Sequence, residues 1–378
     1  MGTKQFDSAT DLITFTRASS STFLGSNGLI QTATNNTPRI EYNADGTVKG
    51  LLIEEARTNL LPYSNQANQL VYHSSGVTTG VDTTEVTSPA GSGTAIKLNK
   101  TSSGYGFARV HYSSVTNAQT FSSFVKKGTA RYIGFRQLAS SGTHTTFDLE
   151  NNTWVQTAGS TSRGYEDYGN GWLRLFVVSD DSNSKTLASL VITNASGAES
   201  SSETGTVYVY GLQREAGAFP TSYIPTSGST ATRAADVATI PTSAFGYNDD
   251  AGTVLLNVTF LSTNVSNNAG MDLWNNISTK ISFRKALFLG NTGGAQWGLA
   301  GIGTNSELFA GSFKENNVVQ CSNGTLSSVD TSALIPQGIT KLDMSRVDQG
   351  SFSLNGHIKS IKYYPRRLSN AQLQELTT

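Results

Sequence analysis

From the first residues almost to the last, the chain shows no apolar residues at helical spacing. What recurs are short runs of alternating apolar and polar residues, rich in Thr, Val, Phe and Tyr and closed off by Gly, Asn and Ser. β-Branched and aromatic side chains suit a pleated surface, and Gly, Asn and Ser adopt the backbone conformations of tight turns, so this punctuation predicts strands throughout. The expected fold class is all-β: two jelly-roll β-sandwiches preceded by a short N-terminal β arm, with one short C-terminal helix.

Three modules are expected. Residues 1–65 read as the arm. Leu12–Phe15 alternates, and Arg39–Tyr42 pairs with Val48–Ile53 across Asn43-Ala44-Asp45-Gly46, with Asp-Gly between alternating runs as the hairpin signal. The arm is too small for a large core, so it should dock on the rest of the chain or on a neighbouring subunit. Residues 66–240 carry strand runs such as Thr120–Val125, Arg131–Phe135 and Trp172–Val178, and end in a linker, Phe219–Ile240, stiffened by Pro220 and Pro225. Residues 241–378 resume the pattern as a second sandwich. There Ser369 and Gln372 form a capping box, and Leu368 and Leu373 form a hydrophobic staple, which together predict a single closing helix.

Composition limits the partners. Lys plus Arg number 27, Asp plus Glu also 27, and charged residues make up only 14% of the 378. A neutral chain has no broad basic field for a polyanion, so no nucleic-acid partner is expected. No apolar stretch approaches the roughly 20 residues that span a bilayer, and the N-terminus lacks a signal-type apolar run, so no membrane insertion and synthesis in the cytoplasm are expected. The single Cys321 can form neither an internal disulfide nor a metal knuckle. Ser and Thr, roughly a quarter of the chain, cover the surface that Lys and Glu cover elsewhere.

Catalytic signatures are absent from the sequence. It has no Gly-Lys pair for a phosphate loop and no G-x-S-x-G elbow. Its histidines, His73, His111, His144 and His357, are scattered. Its adjacent acid pairs, Glu54-Glu55, Glu166-Asp167, Asp180-Asp181 and Asp249-Asp250, put neighbours on opposite strand faces, unlike the facing carboxylates of glycoside cleavage. No cofactor is expected; Asp180–Asn183 and Tyr247–Asp250 are oxygen-rich loops suited at most to weak calcium. What remains is a binding surface on which sugar rings stack on loop aromatics while polar groups fix orientation. The candidate contacts are Tyr105, His144, Trp154, Tyr165, Tyr168 and Trp297, whereas Trp172 and Trp274 read as core.

Three stretches are similar to tailed-bacteriophage structural proteins. Ile13–Ser20 with Gly28–Ile30, Pro38-Arg39 and Gly50–Leu60 resembles an N-terminal segment of such proteins. Phe147–Leu149, Trp154-Val155, Tyr168–Arg174, Tyr210–Glu215, Thr221–Gly228 and Thr232–Asp236 resemble a carbohydrate-binding-type jelly roll. Leu354–Leu373 resembles the close of a concanavalin-like or laminin-G-like sandwich. The resemblance implies a non-enzymatic protein on the virion surface, a short fibre, appendage or decoration, that binds host-surface polysaccharide during attachment. Other virion proteins would be its partners, and a homotrimer would lend avidity. The alternatives are a purely structural capsid-decoration or fibre-anchoring protein and a polysaccharide-degrading enzyme.

Overall fold

The computed structural model describes residues 12–72, 78–115, 118–136, 144–158, 160–179, 185–198, 200–276, 278–285, 287–292, 296–300, 308–345 and 353–378. Among these the chain is all-β, with short α-helices only at Thr242–Phe245 and Asn370–Leu376.

The first sandwich faces two six-stranded antiparallel sheets. One runs Thr153–Gln156, Thr145–Asp148, Tyr132–Arg136, Lys185–Ile192, Phe107–Val115, Val71–Tyr72; the other runs Ser162–Asp167, Trp172–Ser179, Gln119–Lys127, Gly205–Ala216, Ala95–Lys100, Thr78–Thr83. Consecutive strands pass from one sheet to the other, as from Phe107–Val115 to Gln119–Lys127 and back to Tyr132–Arg136, which is jelly-roll routing. Leu173, Leu175 and Val177 meet Ile133, Phe147 and Leu190 between the sheets. Strand alternation then turns Trp172, Arg174 and Phe176 to the outer face.

The second sandwich has two seven-stranded sheets, and the N-terminal segment is part of both. Thr14–Thr16 pairs with Val237–Pro241 at the edge of one sheet, while Ile40–Tyr42 and Val48–Ile53 extend the other beyond Gly356–Tyr364. The arm expected over 1–65 thus docks on its own chain, as strands of a shared core. Phe15, Leu51 and Ile53 join Val254, Leu256, Phe283 and Ile358 there. The physical reason is that a hairpin with an apolar face must find both a sheet edge for its backbone groups and a core for its side chains. Gly50 shows how close the fit is. Its φ is +130°, and a Cβ there would lie 2.4 Å from the Ile358 carbonyl oxygen. The linker is likewise more ordered than its prolines suggest: Ala231–Arg233 pairs with Arg57–Asn59, and Val237–Pro241 carries the boundary expected at 240 into the second sandwich.

Between these strands, Ser21–Leu24 and Ile30–Ala33 form a hairpin over the outer face of the first sandwich, where Leu24 packs with Phe124, Tyr168, Trp172 and Tyr223. Trp172 is core, as expected, and donates its indole N–H to the Thr87 carbonyl at 2.9 Å.

The closing helix has the expected cap. Ser369 Oγ accepts from Gln372 N at 3.3 Å, Gln372 Oε1 accepts from Ser369 N at 3.0 Å, and Leu368 and Leu373 are buried together with Leu255 and Val319. Ser369→Ala should lower stability by about 1 kcal/mol, read as an earlier urea midpoint at an unchanged slope.

Candidate functional site

Where the outer faces of the two sandwiches meet, a cavity of about 420 Å³ remains. Its walls follow from strand alternation. On the second sandwich Leu51, Ile53 and Ile358 point into the core, so their neighbours point out. The register sets His357 opposite Leu52 and Thr259, and Glu41 opposite Gly50, so Glu41, Leu52, Thr259, His357 and Lys359 line one wall. Glu166, Arg174 and Phe176 of the first sandwich line the facing wall, and Pro220–Ser222 of the linker closes one side.

Charged side chains that would ordinarily be solvated are here paired across the gap. Lys49, on the hairpin, bonds the Glu166 carboxylate of the first sandwich and lies 4.0 Å from Glu41. Glu41 accepts from Leu24 N at 3.1 Å and bonds His357 Nε2 at 2.6 Å. Burial alone would push the Glu41 carboxyl up, but the bond and charge of His357, the Lys49 charge and the Leu24 N–H hold it down at about 2. Burial and the Glu166 charge push the Tyr168 phenol well up, so it stays protonated.

Behind the wall lies a buried ion cluster. Arg39 donates to Asp236 at 2.6 Å and lies 2.8 Å from Glu54; Arg17 reaches Asp236 at 3.1 Å, and Arg233 lies 3.5 Å from Glu54. Ser222 donates to Glu54 twice, from its N–H and its hydroxyl, both at 2.7 Å. Burial works against the Glu54 charge, but Arg233, Arg39 and Ser222 together hold its carboxyl well below the usual carboxylate range. The cluster joins the N-terminal segment to the linker and so fixes the cavity walls.

The residues expected to touch sugar have different fates. Tyr165 and Tyr168 both line the cavity, Tyr165 being 45% exposed and Tyr168 buried. Trp154 is close by. It packs edge-on against Phe147 at 5.0 Å, and Tyr165 meets the same ring at 5.3 Å, which makes one aromatic edge to the first sandwich. Tyr105 is 41% exposed, on the separate ribbon of Gly104–Tyr105 with Ser200–Ser201, and does not line the cavity.

Two further candidates, like Tyr168, are buried. His144 is inside, its backbone N–H donating to the Gly197 carbonyl at 2.8 Å and its Nδ1 within 3.1 Å of the same oxygen. Trp297 is core, because alternation on Gln296–Ala300 turns it inward onto Phe288 at 5.2 Å, and its indole N–H is already used by the Leu334 carbonyl at 2.8 Å. Gly290 is the strand partner whose missing side chain makes room for the indole. Trp297→Ala should therefore act on folding, at about 3–5 kcal/mol by chemical denaturation.

Among the described residues no group of three His, Cys, Asp or Glu is placed to hold a metal ion. The Asp180–Asn183 loop lies outside the described residues. In Tyr247–Asp250, Asn248 Oδ1 accepts from Asp250 N and Asp249 Oδ1 from Gly338 N, as in an ordinary turn.

Glu41, Lys49, Phe176 and Arg174 were not anticipated as site residues, nor was His357. The Glu41–His357 bond spans 316 residues, and nothing local in the sequence signals it. No protein-family model matches the chain, and a search of curated proteins finds no match.

Proposed function

We propose that the protein is a non-enzymatic surface component of a tailed-phage virion that binds host-surface glycans, with the inter-sandwich cavity and the adjoining aromatic edge as its sugar site. The cavity carries this reading. It combines ring surface from Phe176 with a set of polar groups whose positions are fixed by ion pairs, the Tyr165–Trp154 edge adjoins it, and its volume lies in the ~300–1,000 Å³ range of small-ligand pockets. The phage setting rests on the ordered motif resemblance along the chain, and the partners it brings are other virion proteins and further copies of this chain.

Binding is favoured over hydrolysis by the state of the wall carboxylates. A glycosidase needs a carboxyl held protonated near neutrality as general acid. Glu41 and Glu54 are both driven the other way, Glu41 by His357, Lys49 and the Leu24 N–H, and Glu54 by Arg233, Arg39 and Ser222.

Purified protein is expected to retain host polysaccharide in pulldown or array format, with Tyr165→Ala weakening binding about tenfold or more, as loss of one stacking ring would. No new reducing ends should appear on prolonged incubation. Folded protein that retains no host glycan would defeat the proposal and leave the purely structural virion role.

A further inference from the structure

Arg174 stands apart from the other charges of the cavity. It lines the wall yet is only 4% exposed. Its Nη2 donates to the Thr221 carbonyl at 2.6 Å and to Ser122 Oγ at 3.3 Å, its guanidinium lies over the Phe124 ring at 5.4 Å, and its Nε has no hydrogen-bond partner. Among the described residues no carboxylate lies within 4.0 Å of it. The Tyr168 phenol lies beside it, and its nearest carboxylates act only through space: Glu215 is engaged by the Thr221 N–H and hydroxyl, and Glu166 is held by Lys49.

The other wall carboxylates are each satisfied, Glu41 by His357 and Glu54 by Arg39 and Arg233. A buried guanidinium bordering a cavity, without a counter-ion of its own, is costly unless something supplies one, and its planar fork suits a carboxylate. We infer that the ligand of this cavity is an acidic glycan, a sugar bearing a ring or chain carboxylate, whose carboxylate Arg174 receives while Phe176 borders the ring. The inference rests on the cavity being the glycan site.

The test compares the unaltered protein on an array of carboxylate-bearing glycans, uronic-acid and nonulosonic-acid types, each printed beside its carboxyl-reduced counterpart. Bound glycans should lose at least about tenfold in affinity on carboxyl reduction, the weight of one charge-assisted contact. Retention falling with rising salt should accompany this. Arg174→Gln should erase the preference, bringing the acidic form down to the reduced one; because the comparison is first made on unaltered protein, a variant that fails to fold does not decide the matter. Binding that is indifferent to carboxyl reduction, or confined to neutral glycans, would overturn the acidic assignment and leave the glycan site standing. Absence of any binding by folded protein would overturn both.

Discussion

Asp236→Ala is expected to destabilise the protein by about 3–5 kcal/mol, the range for removing one partner of a buried ion pair. Asp236 receives Arg17 at 3.1 Å, Arg39 at 2.6 Å and the Glu54 backbone N–H at 2.8 Å, all in a region where the side chains of Arg17, Arg39 and Asp236 are fully buried. Without it, Arg39 keeps Glu54, but Arg17 keeps only carbonyls, those of Ser19, Ala33, Thr34 and Thr37. Two guanidinium groups would then face each other with one carboxylate fewer, and water cannot reach them without opening the junction. Urea unfolding reads the loss, and a companion Arg17→Met in the Asp236→Ala background should recover part of it by removing the stranded charge. The exposed Lys97–Glu85 pair supplies the contrast: Glu85→Ala should leave the urea midpoint nearly where it was, because solvent screens both ends. An Asp236→Ala midpoint as little changed as that of Glu85→Ala would show that the cluster does not hold the modules together.

The cluster also shows what was legible in the sequence. Local signals read well: the Asn43–Gly46 hairpin, the Ser369 capping box and the alternating strands all depend on residues a few positions apart, and the structure has each of them. The placing of those elements was less legible. The hairpin Arg39–Ile53 carried an apolar face without saying which sheet edge would take it, and that edge, Gly356–Tyr364, lies some three hundred residues on. The same limit applied to chemistry. Arg17, Arg39, Glu54, Arg233 and Asp236 look in sequence like ordinary scattered charges, and only the fold shows that they are buried together. Trp297 faces Gly290 of the next strand and is buried, whereas Tyr165, on an edge strand, is about half exposed, and nothing in the local sequence separates the two.

Acid is expected to unfold the protein over a definite window, and the sign follows from the direction of the carboxyl shifts. Glu41 titrates at about 2 in the folded chain against an ordinary value of 4.5, and Glu54 is depressed further. A carboxylate depressed on folding contributes stability that is whole above its unfolded value and is lost as the pH falls through its folded one, because the unfolded chain takes up the proton first. Stability should therefore be insensitive to these two groups above about pH 4.5 and should fall steeply from there toward about pH 2. Protonating Glu54 does more than remove one attraction, since Arg39 and Arg233 stay charged and buried, Arg233 losing its counter-ion and Arg39 keeping only Asp236. Glu54→Gln mimics that state at neutral pH and should cost about 3 kcal/mol or more there. It should also flatten the dependence of unfolding free energy on pH across the window, because the group that takes up the proton is gone. Urea midpoints measured from pH 7 down to pH 3 in both proteins test this. A Glu54→Gln curve that merely parallels that of the unaltered protein would mean that the acid sensitivity arises elsewhere, with Glu41 and its His357 contact the next group to vary.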